Sequence, residues 1–248
     1  MYKTNSEILM NQIKAYKLNN CNTYKKTDYV DETKIFYLNT KTHKDRRKHM
    51  EYQFKKFNIK QENITRIETE KFPENAIKST KQHLLIESHI SMWQKAFDLN
   101  CNGAFFFEDD VYFIKNWKQI VEKIFDKIGK DKIDILRLDS FPFIYTENDL
   151  NTDTMYVLRN ICIWCTGGYY MSKKAIESSL NFIAKKGNKF ETIEILIDNI
   201  KLEYLPYTSY DTIPKICLQN WFLDENSSIQ IPEHSDMLKT VSLKYLQL

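Results

Sequence analysis

The apolar positions of this chain fall into short runs separated by longer amphipathic stretches. Residues 34–39, Lys-Ile-Phe-Tyr-Leu-Asn, form a compact apolar run that reads as a buried strand. Behind a polar loop, Met50, Phe54 and Phe57 recur at the spacing of one helix face. Residues 64–67 suggest a second strand. Residues 79–99 read as a long helix with Ile86, Ile90, Trp93 and Phe97 on one side. Residues 103–107 form a third strand, 117–128 a further helix and 134–138 a fourth strand. Residues 154–171 are strand-like and aromatic, and Ser172 is placed to cap a helix ending near Gly187. The end of the chain mixes short strands with loops.

Strands alternating with helices predict an α/β fold with a largely parallel sheet. Residues 1–33 read as an N-terminal extension, with Ile8, Leu9, Ile13 and Leu18 spaced for a short amphipathic helix. No internal repeat, low-complexity tract or Gly/Pro linker interrupts residues 34–248, which read as one domain.

Composition narrows the class. In a chain of 248 residues, 42% hydrophobic content allows a sizeable core, and 28% charged residues of mixed sign suit a folded surface. The net charge of +3 comes without a Lys/Arg block interleaved with aromatics, which argues against nucleic acid as the partner. No segment approaches the roughly 18–20 apolar residues of a membrane span, and the N-terminus lacks a signal-peptide core. The expectation is a cytoplasmic protein without a transmembrane segment. The 5 cysteines are scattered and read as reduced thiols. Cys162 and Cys165 have CxxC spacing, but no second pair follows them.

The candidate chemistry lies at Glu108-Asp109-Asp110, directly behind the third strand. Ligands of open α/β sheets sit beyond the carboxyl ends of the strands. Three adjacent carboxylates repel one another, and a hard divalent cation, Mn²⁺ or Mg²⁺, is their natural partner. Such an ion can bridge a nucleotide diphosphate and stabilise its charge as it leaves. A solvated acidic loop or a helix cap is the alternative reading of the same residues. Asn39 and Arg46 follow the first strand, where a nucleotide could lie, and Arg makes charge-assisted bonds to phosphate.

Four segments carry a family resemblance. They are Ile35-Phe36-Tyr37-Leu38-Asn39 with Asp45-Arg46-Arg47, then Glu87-Ser88-His89 with Trp93. Phe106-Phe107-Glu108-Asp109-Asp110-Val111 and Thr166-Gly167-Gly168-Tyr169-Tyr170-Met171-Ser172 complete the set. In this order the chain resembles glycosyltransferase family 25, the lipopolysaccharide-type and procollagen-type galactosyltransferases, over roughly residues 34 to 230. The resemblance implies the GT-A nucleotide-sugar-binding fold, with a mixed, mostly parallel sheet flanked by helices. It implies inverting transfer of a hexose, galactose or glucose, from a UDP-sugar to a hydroxyl of a glycan, lipid or hydroxylated protein.

On that resemblance Asn39, Arg46, Ser88, His89, Glu108, Asp109 and Tyr170 are candidates for donor binding. Asp110 and Glu108 are candidates for metal, with His234 as a further possible ligand. A core role for His89, Tyr169 and Tyr170 stays open. The family's Pro-hydrophobic-Asp segment falls at Thr192-Ile193-Glu194, where this chain departs from the pattern. Glu194, or Asp198 four residues later on the same helix face, is the candidate base. The same departure leaves a non-catalytic nucleotide-sugar or glycan-binding module as the alternative.

Overall fold

A computed structural model describes residues 16–18, 28–70, 73, 75, 77–139, 155–159, 165–205, 208–213 and 216–219, with backbone alone for 16–18, 155–159, 213 and 218. Ten strands are described. They are β1 (Tyr16–Leu18), β2 (Lys34–Thr40), β3 (Ile64–Thr69), β4 (Gly103–Phe107), β5 (Val111–Phe113), β6 (Ile135–Arg137), β7 (Met155–Arg159), β8 (Gly168–Ser172), β9 (Ser209–Ile213) and β10 (Cys217–Gln219). The helices are α1 (Tyr29–Glu32), α2 (Lys44–Lys56), α3 (Lys78–Asp98), α4 (Trp117–Ile128), α5 (Lys173–Lys186) and α6 (Ile193–Tyr204).

Eight strands form one sheet in the order β1-β7-β9-β6-β8-β4-β2-β3, and β5 pairs with β10 in a separate ribbon. Strands β1, β2, β3, β4, β6 and β9 run one way, and β7 and β8 run against them. The architecture is therefore the α/β fold that the strand–helix alternation predicts, with the mixed, mostly parallel, helix-flanked sheet that the family resemblance implies.

The central strand β4 is apolar at every position because both of its faces are covered. In β4, Phe105 and Phe107 face a core shared with Met50 and Phe54 of α2 and with Val121 and Phe125 of α4. Ala104 and Phe106 face the opposite core, shared with Trp93 of α3, Phe182 of α5 and Leu196 of α6. The same parity puts Tyr170 in the first core and Tyr169 in the second. Each fully buried Phe contributes about 1.5–3 kcal/mol of transfer free energy. The cap on α5 is the expected one: the Ser172 hydroxyl accepts from the Ala175 amide at 3.1 Å.

Part of the N-terminal region belongs to this packed body. Leu18 lies in β1, paired antiparallel with β7, so it is in a strand and not in the amphipathic helix expected for it. The other positions of that helix, Ile8, Leu9 and Ile13, lie outside the described residues. Val30 of α1 is fully buried, and its amide donates to Glu122 at 2.6 Å. The packed unit thus starts before Lys34. Among the described residues, no helix is long and apolar enough to cross a membrane.

Candidate active site

The carboxyl ends of β2, β4 and β6 open onto one edge of the sheet. There they present Asn39, the triplet Glu108-Asp109-Asp110, and Asp139. Because β8 runs antiparallel, its leading turn Thr166-Gly167 arrives at the same edge, where the Glu108 amide donates to the Gly167 carbonyl at 2.9 Å. The β5–β10 ribbon brings Gln219 there from the far end of the described chain.

The three carboxylates of the triplet are held differently. Both oxygens of Asp109 are engaged: Oδ2 accepts from Asn39 Nδ2 at 2.7 Å, and Oδ1 accepts from Arg46 at 3.1 Å. Asn39 is itself oriented by Arg66, whose Nε donates to Oδ1 at 2.9 Å and so turns the amide nitrogen towards Asp109. Both oxygens of Glu108 also have donors, Gln219 Nε2 at 3.0 Å and the Thr166 hydroxyl at 3.4 Å. Asp110 is different. Its Oδ2 lies 3.7 Å from the Arg46 guanidinium, and its buried Oδ1 has no hydrogen-bond partner among the described residues.

Electrostatics follow this division. Burial raises the Glu108 carboxyl to about 8, helped by the negative charges of Glu194, Asp139 and Asp109 and opposed by the Thr166 hydrogen bond. Burial also raises Asp110 to about 8, with Glu108 adding to the rise and Arg46 opposing it. Nearby positive charge would let both groups ionise. A buried carboxylate oxygen without a partner costs about 1–3 kcal/mol or more, so Asp110 is poised for a ligand.

No group of three or more His, Cys, Asp or Glu side chains among the described residues forms a ready-made metal cage. Mg²⁺ and Mn²⁺ at phosphate sites do not require one, since one or two carboxylates, phosphate oxygens and water suffice. Asp110, with its orphaned oxygen, fits that donor set. His234 lies outside the described residues.

The remaining candidates separate clearly. His89 on α3 is fully buried, with Nε2 aimed at Glu108 Oε1 3.6 Å away, beyond hydrogen-bond length. Burial lowers its imidazole to about 4, against the opposing charge of Glu194, so the ring is neutral. Glu194 stands in the first turn of α6, which Thr192 caps, and its charge is felt by both Glu108 and His89. Asp198 is on the same helix face but is tied to Arg137 at 2.9 Å and Lys201 at 3.3 Å.

Two candidates make no hydrogen bond to the triplet among the described residues. The Ser88 hydroxyl bonds back to the Leu84 carbonyl of its own helix at 2.8 Å. Tyr170 packs on Phe105 and Phe125, its ring lying on the face opposite His89.

Several residues of the site have no role in the sequence reading. Asp139 is fully buried, and its carboxylate would lie 2.6 Å from a Cβ added at Gly167. It follows a buried strand just as Glu108 does, which is the signal that could have found it. Arg66 sits on the half-exposed strand β3, where nothing marks it out. Gln219 lies in the C-terminal stretch of short strands and loops.

The chain is similar in sequence to known glycosyltransferases. A candidate glycosyltransferase of Haemophilus influenzae is 26% identical over 218 residues, covering 79% of this chain and 73% of its own. Among solved structures, a glycosyltransferase involved in glycosylation of the major capsid of PBCV-1 aligns with a TM-score of 0.39 and 16% identity. That alignment covers 69% of this chain and 75% of the other. A197 from STIV aligns with a TM-score of 0.35 and 14% identity, over 72% and 81% of the two chains. The sequence profile of glycosyltransferase family 25 (LPS biosynthesis protein) matches residues 32–200, which span the triplet, Asn39, Arg46, Thr166 and Glu194, and the chain belongs to that family.

Proposed function

We propose that this glycosyltransferase moves a hexose, galactose or glucose, from a UDP-sugar to an acceptor hydroxyl with inversion, using Mn²⁺ or Mg²⁺. The observation that carries the reading is the division of labour in the triplet. Asp109 and Glu108 are already held by protein donors, and Asp110 alone keeps a buried oxygen without a partner. Asp110 would hold the cation, with Glu108 facing it. When bound, the ion offsets the charge that develops on the leaving diphosphate. Arg46 is 36% exposed beside Asp110 and can also reach a phosphate oxygen.

Glu194 is the base of choice. It stands in the first turn of α6, within electrostatic reach of Glu108. Asp198 is committed to Arg137 and Lys201. Glu194 would take the proton of the acceptor hydroxyl as that oxygen attacks the anomeric carbon. The bond from that carbon to the diphosphate breaks on the opposite side, and the nucleoside diphosphate leaves. The acceptor is a glycan, a lipid-linked glycan or a hydroxylated protein.

The test is calorimetric titration of UDP-galactose and UDP-glucose with and without Mn²⁺, followed by transfer assays on glycan acceptors. Metal-dependent donor binding is expected in the wild type and is lost in Asp110→Ala. Unchanged donor affinity in that variant would refute the metal-ligand role. Donor binding without transfer to any acceptor would favour the non-catalytic module.

A further inference from the structure

Behind Glu108 lies a buried trio, Trp93, Tyr169 and His89, whose hydrogen bonds have one consistent direction. The Trp93 indole nitrogen can only donate, so the Tyr169 oxygen accepts from it at 2.9 Å. The Tyr169 proton then goes to His89 Nδ1, 2.8 Å away, the acceptor that the described residues offer it. A neutral ring that accepts at Nδ1 carries its proton on Nε2. That Nε2–H is fully buried, has no hydrogen-bond partner among the described residues, and points at Glu108 Oε1 across 3.6 Å.

The two ends of the Glu108 carboxylate are not held equally. Gln219 grips Oε2 at 3.0 Å, whereas Oε1 has only the long 3.4 Å bond from Thr166. Oε1 is the loosely held oxygen, and a small rotation brings it within reach of Nε2–H. Contacts of this kind are often long in the free enzyme and tighten around the ligand.

We propose that Tyr169 fixes the tautomer of His89, and that His89 Nε2–H locks Glu108 Oε1 when the donor binds. Both are positioning residues that act through Glu108 and touch no substrate. The inference rests on the reading above that Glu108 faces the nucleotide sugar. A trio serving only as packing would need no donor aimed at the site.

Two measurements test it. Long-range ¹⁵N correlation spectra of the ligand-free wild-type protein report which imidazole nitrogen of His89 carries the proton, and Nε2–H is expected. Calorimetric titration with UDP-galactose and Mn²⁺ then compares His89→Gln with His89→Leu. A glutamine amide can place an N–H where Nε2–H stands, so His89→Gln should bind within about threefold of wild type. His89→Leu should lose about tenfold or more, as supporting residues around a metal site do when removed. Melting curves of both variants separate this loss from unfolding.

An Nδ1–H signal in the wild type, or undiminished donor binding by folded His89→Leu, overturns the inference. A wild-type protein that binds neither UDP-galactose nor UDP-glucose overturns the proposed function instead. The ¹⁵N spectrum then still decides the tautomer.

Discussion

Asp198→Asn should destabilise the protein substantially, because Asp198 belongs to a buried ion network. Arg137 of β6 is 1% exposed, Lys201 of α6 is 3% exposed and Asp211 of β9 is fully buried. Asp198 lies 2.9 Å from Arg137 and 3.3 Å from Lys201, whereas Asp211 lies 4.0 Å and 3.9 Å from the same two cations. Neutralising Asp198 therefore removes the nearer of the two carboxylates described beside these buried cations. A charge pair at about 4 Å is worth about 4 kcal/mol at an effective dielectric constant of about 20. Asp198's own desolvation penalty disappears with its charge and offsets part of that loss. Breaking a buried pair from one side costs about 3–5 kcal/mol, and the lower end applies here because Asp211 remains.

Against a typical domain stability of about 5–15 kcal/mol, a loss of about 3 is large. It should lower the melting temperature by roughly 6–12 °C in a chain of this size. Urea unfolding followed by circular dichroism gives the free energy directly. Glu194→Gln, one turn earlier and outside the network, is the control and should stay within about 0.5 kcal/mol of wild type. If Asp198→Asn unfolds like wild type yet loses sugar transfer, Asp198 is the base and the structural account is refuted.

Three further outcomes follow from the same geometry. In Gly167→Ala, the added Cβ would meet Gln219 and lie 2.6 Å from Asp139 Oδ2, so donor affinity should fall along with about 1–3 kcal/mol of stability, read by titration and melting. Cys165 has a φ of +84°, which strains any residue with a Cβ, so Cys165→Gly should be neutral or stabilising by about 1 kcal/mol in a urea titration. His89 is held neutral by burial, with its pKa lowered from 6.5 to about 4, so the unfolded chain takes up its proton first as pH falls. Its contribution is intact above pH 6.5 and is lost between 6.5 and about 4, amounting to roughly 2 kcal/mol at pH 5. Stability measured at pH 7.5 and 5 should differ less in His89→Gln, and an equal pH dependence in both proteins would count against a buried neutral imidazole.

The elements were legible in the sequence where one face repeats. The two-sided burial of β4 shows in its unbroken apolar run, and Met50, Phe54 and Trp117 mark helices on one face of the sheet. The triplet was legible as well, because carboxylates directly behind such a strand fall at its carboxyl end. What the sequence conceals is side-chain parity and distant pairing. Tyr169 and Tyr170 are adjacent and chemically alike, yet the pleat sends them to opposite cores, and only Tyr169 meets His89. Glu194 and Asp198 share a helix face, and only the positions of Arg137 and Asp211 on β6 and β9 separate their roles. Arg66 orients Asn39 from 27 residues away, and no local pattern signals a contact of that range.

The grip of Gln219 on Glu108 spans 111 residues of chain. Contacts this far apart in sequence form late, since the loop between them must close before they contribute. During synthesis the triplet emerges well before β10, so the β2–β3–β4 core can assemble while Glu108 still lacks one of its two clamps. Completion of the site is thereby coupled to completion of the sheet. A nascent chain lacking β10 would hold the triplet without the Gln219 clamp, which orders donor binding after folding in time.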